Sequence, residues 1–150
     1  MSFSASGGNN CCLKQSVAMG NPLRVLVAEN HPDLSEAVAR IVDTEPDMRC
    51  VGQVANVSDV LPVARESSAQ ALVLDLSLTG GSSLQLIEEL IAGIPGLHIV
   101  VFSGLANAEE AEREIKRRGA AEFVSKGCDI TVLLGALRRG VPAAGASAPV

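Results

Sequence analysis

Five short apolar runs alternating with five amphipathic stretches predict an α/β fold: a doubly wound, five-stranded parallel sheet with helices on both faces. Two further observations point the same way. The run Ala71-Leu72-Val73-Leu74-Asp75-Leu76 is apolar without alternation up to Asp75, as a strand buried on both faces must be. The chain of 150 residues, 47% apolar and 19% charged, is long enough for one real core and too apolar to be disordered.

Residues 1–22 are rich in Ser, Gly and Asn without a period and read as a flexible tail. Arg24 to Ala28 is the first, β-branched strand. Leu34, Ala37, Val38, Ile41 and Val42 then recur at helical spacing, and Pro32 and Asp33 suit the first turn of that helix. Met48 to Val54 is the second strand. A helix follows to about Glu66, with Ser58 as its expected cap and Pro62 expected in the first turn, where amide hydrogens lack partners anyway. Ala71 to Leu76 is the third strand. Leu84, Ile87, Leu90 and Ile91 mark the third helix, ended near Gly93 and Pro95.

His98 to Phe102 is the fourth strand, and Asn107 to Arg118 the fourth helix. That helix starts with Glu109, Glu110 and Glu112 and ends with Lys116, Arg117 and Arg118, complementing its dipole. Glu109/Arg113, Glu112/Lys116 and Glu114/Arg118 are spaced for ion pairing, and Gly119 stops the helix. Glu122 to Ser125 is a short fifth strand. Ile130 to Arg139 is the last helix, with Leu133, Leu134 and Leu137 facing inward. Residues 141–150 read as a second tail, which leaves one domain over 23–140. Consecutive βα units with right-handed crossovers favour the flavodoxin-like strand order 2-1-3-4-5.

Composition removes several function classes. Aromatics are 2%, with no Trp or Tyr, so the stacking platforms of single-stranded nucleic-acid binders are missing. The net charge of −5 argues against direct DNA binding. Cys11 and Cys12 are adjacent in the tail, Cys50 is in a strand-like run and Cys128 follows Gly127. This is neither a disulfide framework nor a zinc spacing, and reduced thiols are expected. No basic start with an apolar stretch suggests a signal peptide, and no apolar run approaches the ~20 residues of a membrane span. The expected location is the cytoplasm, without membrane attachment.

The polar residues at carboxyl ends of strands carry the functional signal. Strand one ends in Glu29-Asn30, strand three in Asp75, strand four in Ser103 and strand five in Lys126. In the order 2-1-3-4-5 these four strands are neighbours, so the groups converge on one crevice, where open α/β sheets place their ligands. Strand two offers nothing comparable. Asp75 can act as a nucleophile on phosphorus. Glu29 and Asn30 offer oxygen ligands for Mg2+, Ser103 a hydroxyl and Lys126 a compact positive charge. Phosphoryl transfer needs little more than such positioning and charge neutralisation.

In these residues the chain resembles the receiver domain of two-component response regulators. The resemblance runs from about Arg24 to Arg139, on the segments VLVAENHP, LVLDLSLTG, VVFSG and GAAEFVSKG. VLVAENHP and SKG look most like receivers that carry a helix-turn-helix output domain. The residues after Arg139 cannot form one, so a stand-alone receiver is expected. The resemblance implies that Asp75 accepts a phosphoryl group from a histidine kinase or phosphotransfer protein. It implies that Glu29, Asn30, Asp75 and the backbone carbonyl of Ser77 hold Mg2+. Ser103 would engage the phosphoryl group, Lys126 would pair with it, and Phe123 would turn inward as Ser103 moves. The helix four, strand five and helix five face would then bind a downstream protein, the kinase or a second copy of the chain. At most, the domain would phosphorylate itself from small donors and dephosphorylate itself; it is not expected to be an enzyme in its own right.

The departures from the family pattern matter as much. Asn30 stands where an acidic direct ligand is usual, so the site loses one negative charge and weaker Mg2+ binding is expected. Thr79-Gly80 replaces a frequent Pro-Gly, and Gly81-Ser82-Ser83 makes the loop polar and flexible. Gly104 follows Ser103 where Ala is common, leaving the site open to water. Gly127 follows Lys126, so no cis-proline is expected there. His31 reads as a solvent-facing residue at a helix start, and His98 as structural. The chief alternative is a pseudo-receiver, the same fold serving as a phosphorylation-independent interaction module. Asp75-Leu76-Ser77-Leu78-Thr79 only faintly resembles the motif of haloacid dehalogenase-type phosphatases, with Ser77 where they need an acid. A flavodoxin would need a phosphate-cradling loop after strand one, and none is present.

Overall fold

A computed structural model of the chain describes residues 21–104 and 108–140. Residues 1–20 of the expected N-terminal tail, with Cys11 and Cys12, the expected C-terminal tail and the expected helix start at Asn107 lie outside those residues. The elements run β1 (Leu23–Ala28), α1 (Pro32–Thr44), β2 (Met48–Val54), α2 (Val57–Glu66), β3 (Ala71–Leu74), α3 (Ser83–Gly93), β4 (His98–Ser103), α4 (Ala108–Arg118), β5 (Glu122–Ser125) and α5 (Ile130–Arg138). The strands form one parallel sheet in the order β2-β1-β3-β4-β5, as the alternation predicts.

Strand alternation divides the core in two. Leu26, Ala28, Leu72, Leu74, Ile99 and Val101 face α2, α3 and α4, whose Val60, Ala64, Leu86, Ile87, Leu90 and Ile115 cover them. Val25, Val27, Ala71, Val73, Val100 and Phe102 face α1 and α5, covered by Val38, Val42, Leu133, Leu134 and Leu137. Aliphatic packing therefore fills both layers, each fully buried Leu or Ile contributing about 1.5–3 kcal/mol. β1 meets β2 with one irregularity: Val25 pairs with Cys50 but Leu26 with Gly52, so Val51 is bulged out.

Several local expectations change. Ser58 is not the cap of α2. Asn56 is, accepting from the Ser58 N–H at 3.1 Å, because the Asn side chain reaches the second helical residue. The helix thus starts earlier than expected, and Pro62 lies inside it rather than in its first turn, with no N–H to give the Ser58 carbonyl. Of the three pairs expected on α4, Glu112–Lys116 at 2.8 Å and Glu114–Arg118 at 2.7 Å form. Glu109–Arg113 does not; Glu114 instead takes Arg117 as well. Gly119 ends the helix at φ +119, where a Cβ would also strike Ile91. His98 is structural, as expected: its Nε2–H donates to the Ala136 carbonyl at 2.8 Å and ties β4 to α5. Cys50 and Cys128 form no disulfide.

Arg138 closes the end of the sheet opposite the strands' carboxyl termini. Its guanidinium reaches Asp47 at 2.7 Å and also Glu45, joining α5 to the turn between α1 and β2. The Arg138 hydrogen bond holds the Asp47 carboxyl below its usual range, outweighing partial burial. A depressed acid stabilises the fold above its unfolded pKa and loses that contribution as pH falls through the folded one. Arg138→Ala should therefore lower stability by about 0.5–1 kcal/mol at pH 7, since both side chains are substantially solvated. In urea titrations the difference should shrink as pH drops below the ordinary Asp value of 3.8.

Candidate functional site

The site is built from residues at or just past the strand ends. Glu29 follows β1, and its N–H donates to the Val54 carbonyl at 3.0 Å. Asp75 is not the last residue of β3 but the first beyond it, and its N–H donates to the Ala28 carbonyl at 2.9 Å. Lys126 follows β5, with its N–H on the Ser103 carbonyl at 3.0 Å. In each case the sheet's hydrogen bonding runs one residue past the side-to-side ladder. The backbone of each residue is thereby fixed, and its side chain is delivered to the crevice.

The crevice brings together Glu29, Asp75, Lys126 and Ser77. Glu29 is 2% exposed and Asp75 1%, an unusual depth for carboxylates without a partner. Lys126 supplies that partner. Its Nζ lies 3.1 Å from Glu29 Oε1 and 3.5 Å from Asp75 Oδ2. Ser77 donates both its N–H, at 3.1 Å, and its hydroxyl, at 3.0 Å, to Asp75 Oδ1. Ser83 at the start of α3 donates its hydroxyl to the Asp75 carbonyl at 3.2 Å, holding the backbone from the other side. Burial opposes ionisation of Asp75. The Ser77 N–H, a carboxyl–carboxyl contact with Glu29, the Ser77 hydroxyl and the Lys126 charge outweigh it and hold the Asp75 carboxyl below its usual range. Asp75 is therefore an anion at neutral pH, poised as a nucleophile or a metal ligand.

The remaining expected residues frame this centre. Ser103, the last residue of β4, is 3% exposed, and its hydroxyl has no hydrogen-bond partner among the described residues. Such a buried, unsatisfied hydroxyl is costly unless something else takes it up. Gly104 is exposed, and a Cβ there would come only to 4.0 Å from the Lys126 side chain, so its lack of a side chain leaves room over the lysine. Phe123 in β5 is half-buried against the layer that includes Ile99, Val101 and Ile115. Asn30 is half-buried and lines an open cleft with Glu29, Pro32, Gln53 and Val54. Its amide makes no hydrogen bond to the described residues.

Two features went unread in the sequence. His31 is 68% exposed, as expected of a solvent-facing residue, yet its Nδ1 lies 3.1 Å from Glu29 Oε2 and its N–H donates to the same oxygen. It belongs to the crevice. The edge strand β2 also contributes more than expected. The Asn56–Thr79 bridge joins the turn after β2 to the loop after Asp75. Val57 N–H donates to the Thr79 carbonyl at 2.9 Å, and the Thr79 hydroxyl to the Ala55 carbonyl at 3.2 Å. The loop read as flexible is thus anchored, and Gly80, at φ +93, sits where a Cβ would meet the Asn56 amide at 2.5 Å.

The donor set fits a divalent cation. Glu29, His31 and Asp75 each offer one ligand atom, all within 4.8 Å of one another, and the carboxylates are already desolvated. Comparison with known proteins agrees with this geometry. Residues 25–138 match the family model described as the response regulator receiver domain. The chain belongs to that family. Receiver domains bind Mg2+ and act as signalling modules rather than as conventional enzymes, and histidine kinases are their partners.

This receiver is 30% identical over 118 residues to the nitrate/nitrite response regulator NarL of Escherichia coli K12, covering 79% of this chain and 54% of NarL. The chain thus spans about half the length of the curated relatives it matches. A LuxR-family two-component response regulator from Aurantimonas sp. SI85-9A1 shares its fold at TM-score 0.73 and 21% identity, over 79% of this chain and 84% of that one. The beryllofluoride-activated NtrC4 receiver domain dimer does so at TM-score 0.69 and 17% identity, over 78% of this chain and 94% of that one. Among the described residues no helix is long and apolar enough to cross a membrane.

Lys126 lies beside two buried carboxylates, so its charge adds to the contacts that keep Asp75 ionised. Lys126→Met should move the Asp75 carboxyl upward, because burial would then be opposed by the Ser77 and Glu29 contacts alone. Carbon-13 NMR titration of the labelled Asp75 carboxyl checks this; an unchanged titration would show that the Ser77 and Glu29 contacts govern it without the lysine.

Proposed function

We propose that this receiver accepts a phosphoryl group on Asp75. The observation that carries the reading is the Lys126 ammonium between Glu29, 97 residues away in sequence, and Asp75, two carboxylates almost wholly withdrawn from solvent. A positive charge beside an ionised, buried carboxylate suits an oxygen that must attack phosphorus and then carry its charge. In the transfer, an Asp75 carboxylate oxygen bonds to phosphorus. The bond from phosphorus to the imidazole of a phosphohistidine breaks, and its electron pair stays on the ring nitrogen.

Glu29, Asn30, Asp75 and the Ser77 carbonyl would hold Mg2+, which supplies charge neutralisation on the phosphoryl oxygens when bound. Ser103, whose hydroxyl has no described partner, would take up a phosphoryl oxygen, with Lys126 moving onto the same group. Gly104 leaves room for that group. Phe123 would follow Ser103 inward, since β4 and β5 pair at Val101–Phe123 and Ser103–Ser125. The α4, β5 and α5 face would change shape with it, for a kinase, an output protein or a second copy of the chain. A few kcal/mol of differential stabilisation suffices for such a switch.

A second reading rests on Asn30. The centre has two carboxylates and one ammonium already paired, and Asn30 adds no charge. A pseudo-receiver, closed by its own ion pairs and used as an interaction module, fits that balance.

Two experiments separate the readings. Acetyl phosphate with Mg2+ should add one phosphoryl group to the intact chain and none to Asp75→Asn, by mass spectrometry. Absence of the adduct at every Mg2+ concentration would defeat the phosphoacceptor reading. Asn30→Asp should tighten Mg2+ binding by about tenfold, because affinity rises with ligand charge count. If only the variant binds the ion, the pseudo-receiver reading prevails.

A further inference from the structure

The position of His31 is unexplained by phosphoryl chemistry. It is the N-cap residue of α1, yet its side chain makes no capping hydrogen bond. Its Nδ1 lies against Glu29 Oε2 instead, at 3.1 Å. The backbone holds it there. Residues before proline are confined to extended conformations, and His31 has φ −91 and ψ 117 ahead of Pro32. Its N–H on the same Glu29 oxygen adds a second restraint.

Glu29 Oε2 is shared: His31 Nδ1 lies 3.1 Å from it and Lys126 Nζ donates to it at 3.3 Å, while Oε1 is 3.1 Å from the same ammonium. An ion seated between His31, Glu29 Oε2 and Asp75 would therefore take the place of Lys126 on that oxygen, leaving the lysine to Oε1 or to an incoming anion. Two ligands on one small dication are at most about 4.2 Å apart, twice a bond of ~2.1 Å. The three ligand atoms lie within 4.8 Å of one another, so a small closing movement completes the set. With His31 mostly exposed, the outer coordination positions remain open to water or to an incoming oxygen.

We infer that His31 is a metal ligand alongside Glu29 and Asp75, and that it tunes the crevice toward transition-metal dications of the Mn2+ to Zn2+ class over Mg2+. The inference rests on the reading of this crevice as a cation site. The chemistry gives the direction. Mg2+ depends on oxygen ligands and their charge, and Asn30 supplies one charge fewer than an acid would. Imidazole nitrogen adds nothing for Mg2+ but stabilises the first-row transition ions.

The test is a titration of the full chain with Mn2+ and with Mg2+, by electron paramagnetic resonance and by calorimetry, for wild type and His31→Ala. His31 is exposed, so the variant should keep the wild-type melting temperature. Loss of His31 should weaken Mn2+ binding by about tenfold or more while changing Mg2+ binding by less than about twofold. The electron spin-echo modulation of a nitrogen bonded directly to Mn2+ should be present in wild type and absent in the variant. Equal losses for both ions, no loss for Mn2+, or no nitrogen modulation in wild type would each overturn the assignment. Acetyl phosphate labelling of the same variant with Mg2+ keeps the two readings apart. Labelling that persists with unchanged Mn2+ affinity refutes only the ligand role of His31. Failure to label wild type, with His31-dependent Mn2+ binding, refutes only the phosphoacceptor role.

Discussion

Two carboxylates buried at the end of the sheet set the terms for the rest of this molecule. Glu29 and Asp75 are almost wholly withdrawn from water, and an unpaired buried charge is among the costliest things a fold can contain. Lys126 is what makes the pair tolerable, and it comes from the far end of the chain. The site therefore cannot form until β5 has docked beside β4. Local structure around Asp75 then fills in the remaining hydrogen bonds, through Ser77 and Ser83.

The sheet supplies the precision. Asp75, Glu29 and Lys126 each leave their strand with the N–H still bound to the neighbouring strand's carbonyl. Their Cα positions are thus as rigid as the core, while their side chains face a crevice. Two aliphatic layers clamp the sheet from both sides and leave the polar chemistry to one end. At the opposite end Arg138, Asp47 and Glu45 fasten α5, well away from the crevice.

Much of this was legible in the sequence because it is one-dimensional. Alternating periods of two and 3.6 give the elements, and the strand order follows from how few ways five βα units can be wound. Asp75, Ser103 and Lys126 stand out because each is a polar residue at the end of an apolar run. What was not legible depends on a side chain's reach across space. His31 looks like an ordinary helix-start residue until its ring is found on Glu29. Asn56 outcompetes Ser58 as the cap because Thr79, remote in sequence, holds the turn in place. Pro62 sits inside α2 at the expense of one hydrogen bond, which packing of Val60 and Ala64 against the sheet outweighs.

The bridge between Asn56 and Thr79 has a consequence for how this chain can vary. Connections in α/β proteins usually accept added or removed residues with little harm. Here the turn after β2 and the loop after Asp75 share hydrogen bonds, and Gly80 lies too close to Asn56 to take a side chain. The two connections are therefore locked in length to one another. An insertion in either would break the hydrogen bonds they share, so an edge strand with no side chain in the crevice dictates the spelling of the loop beside it.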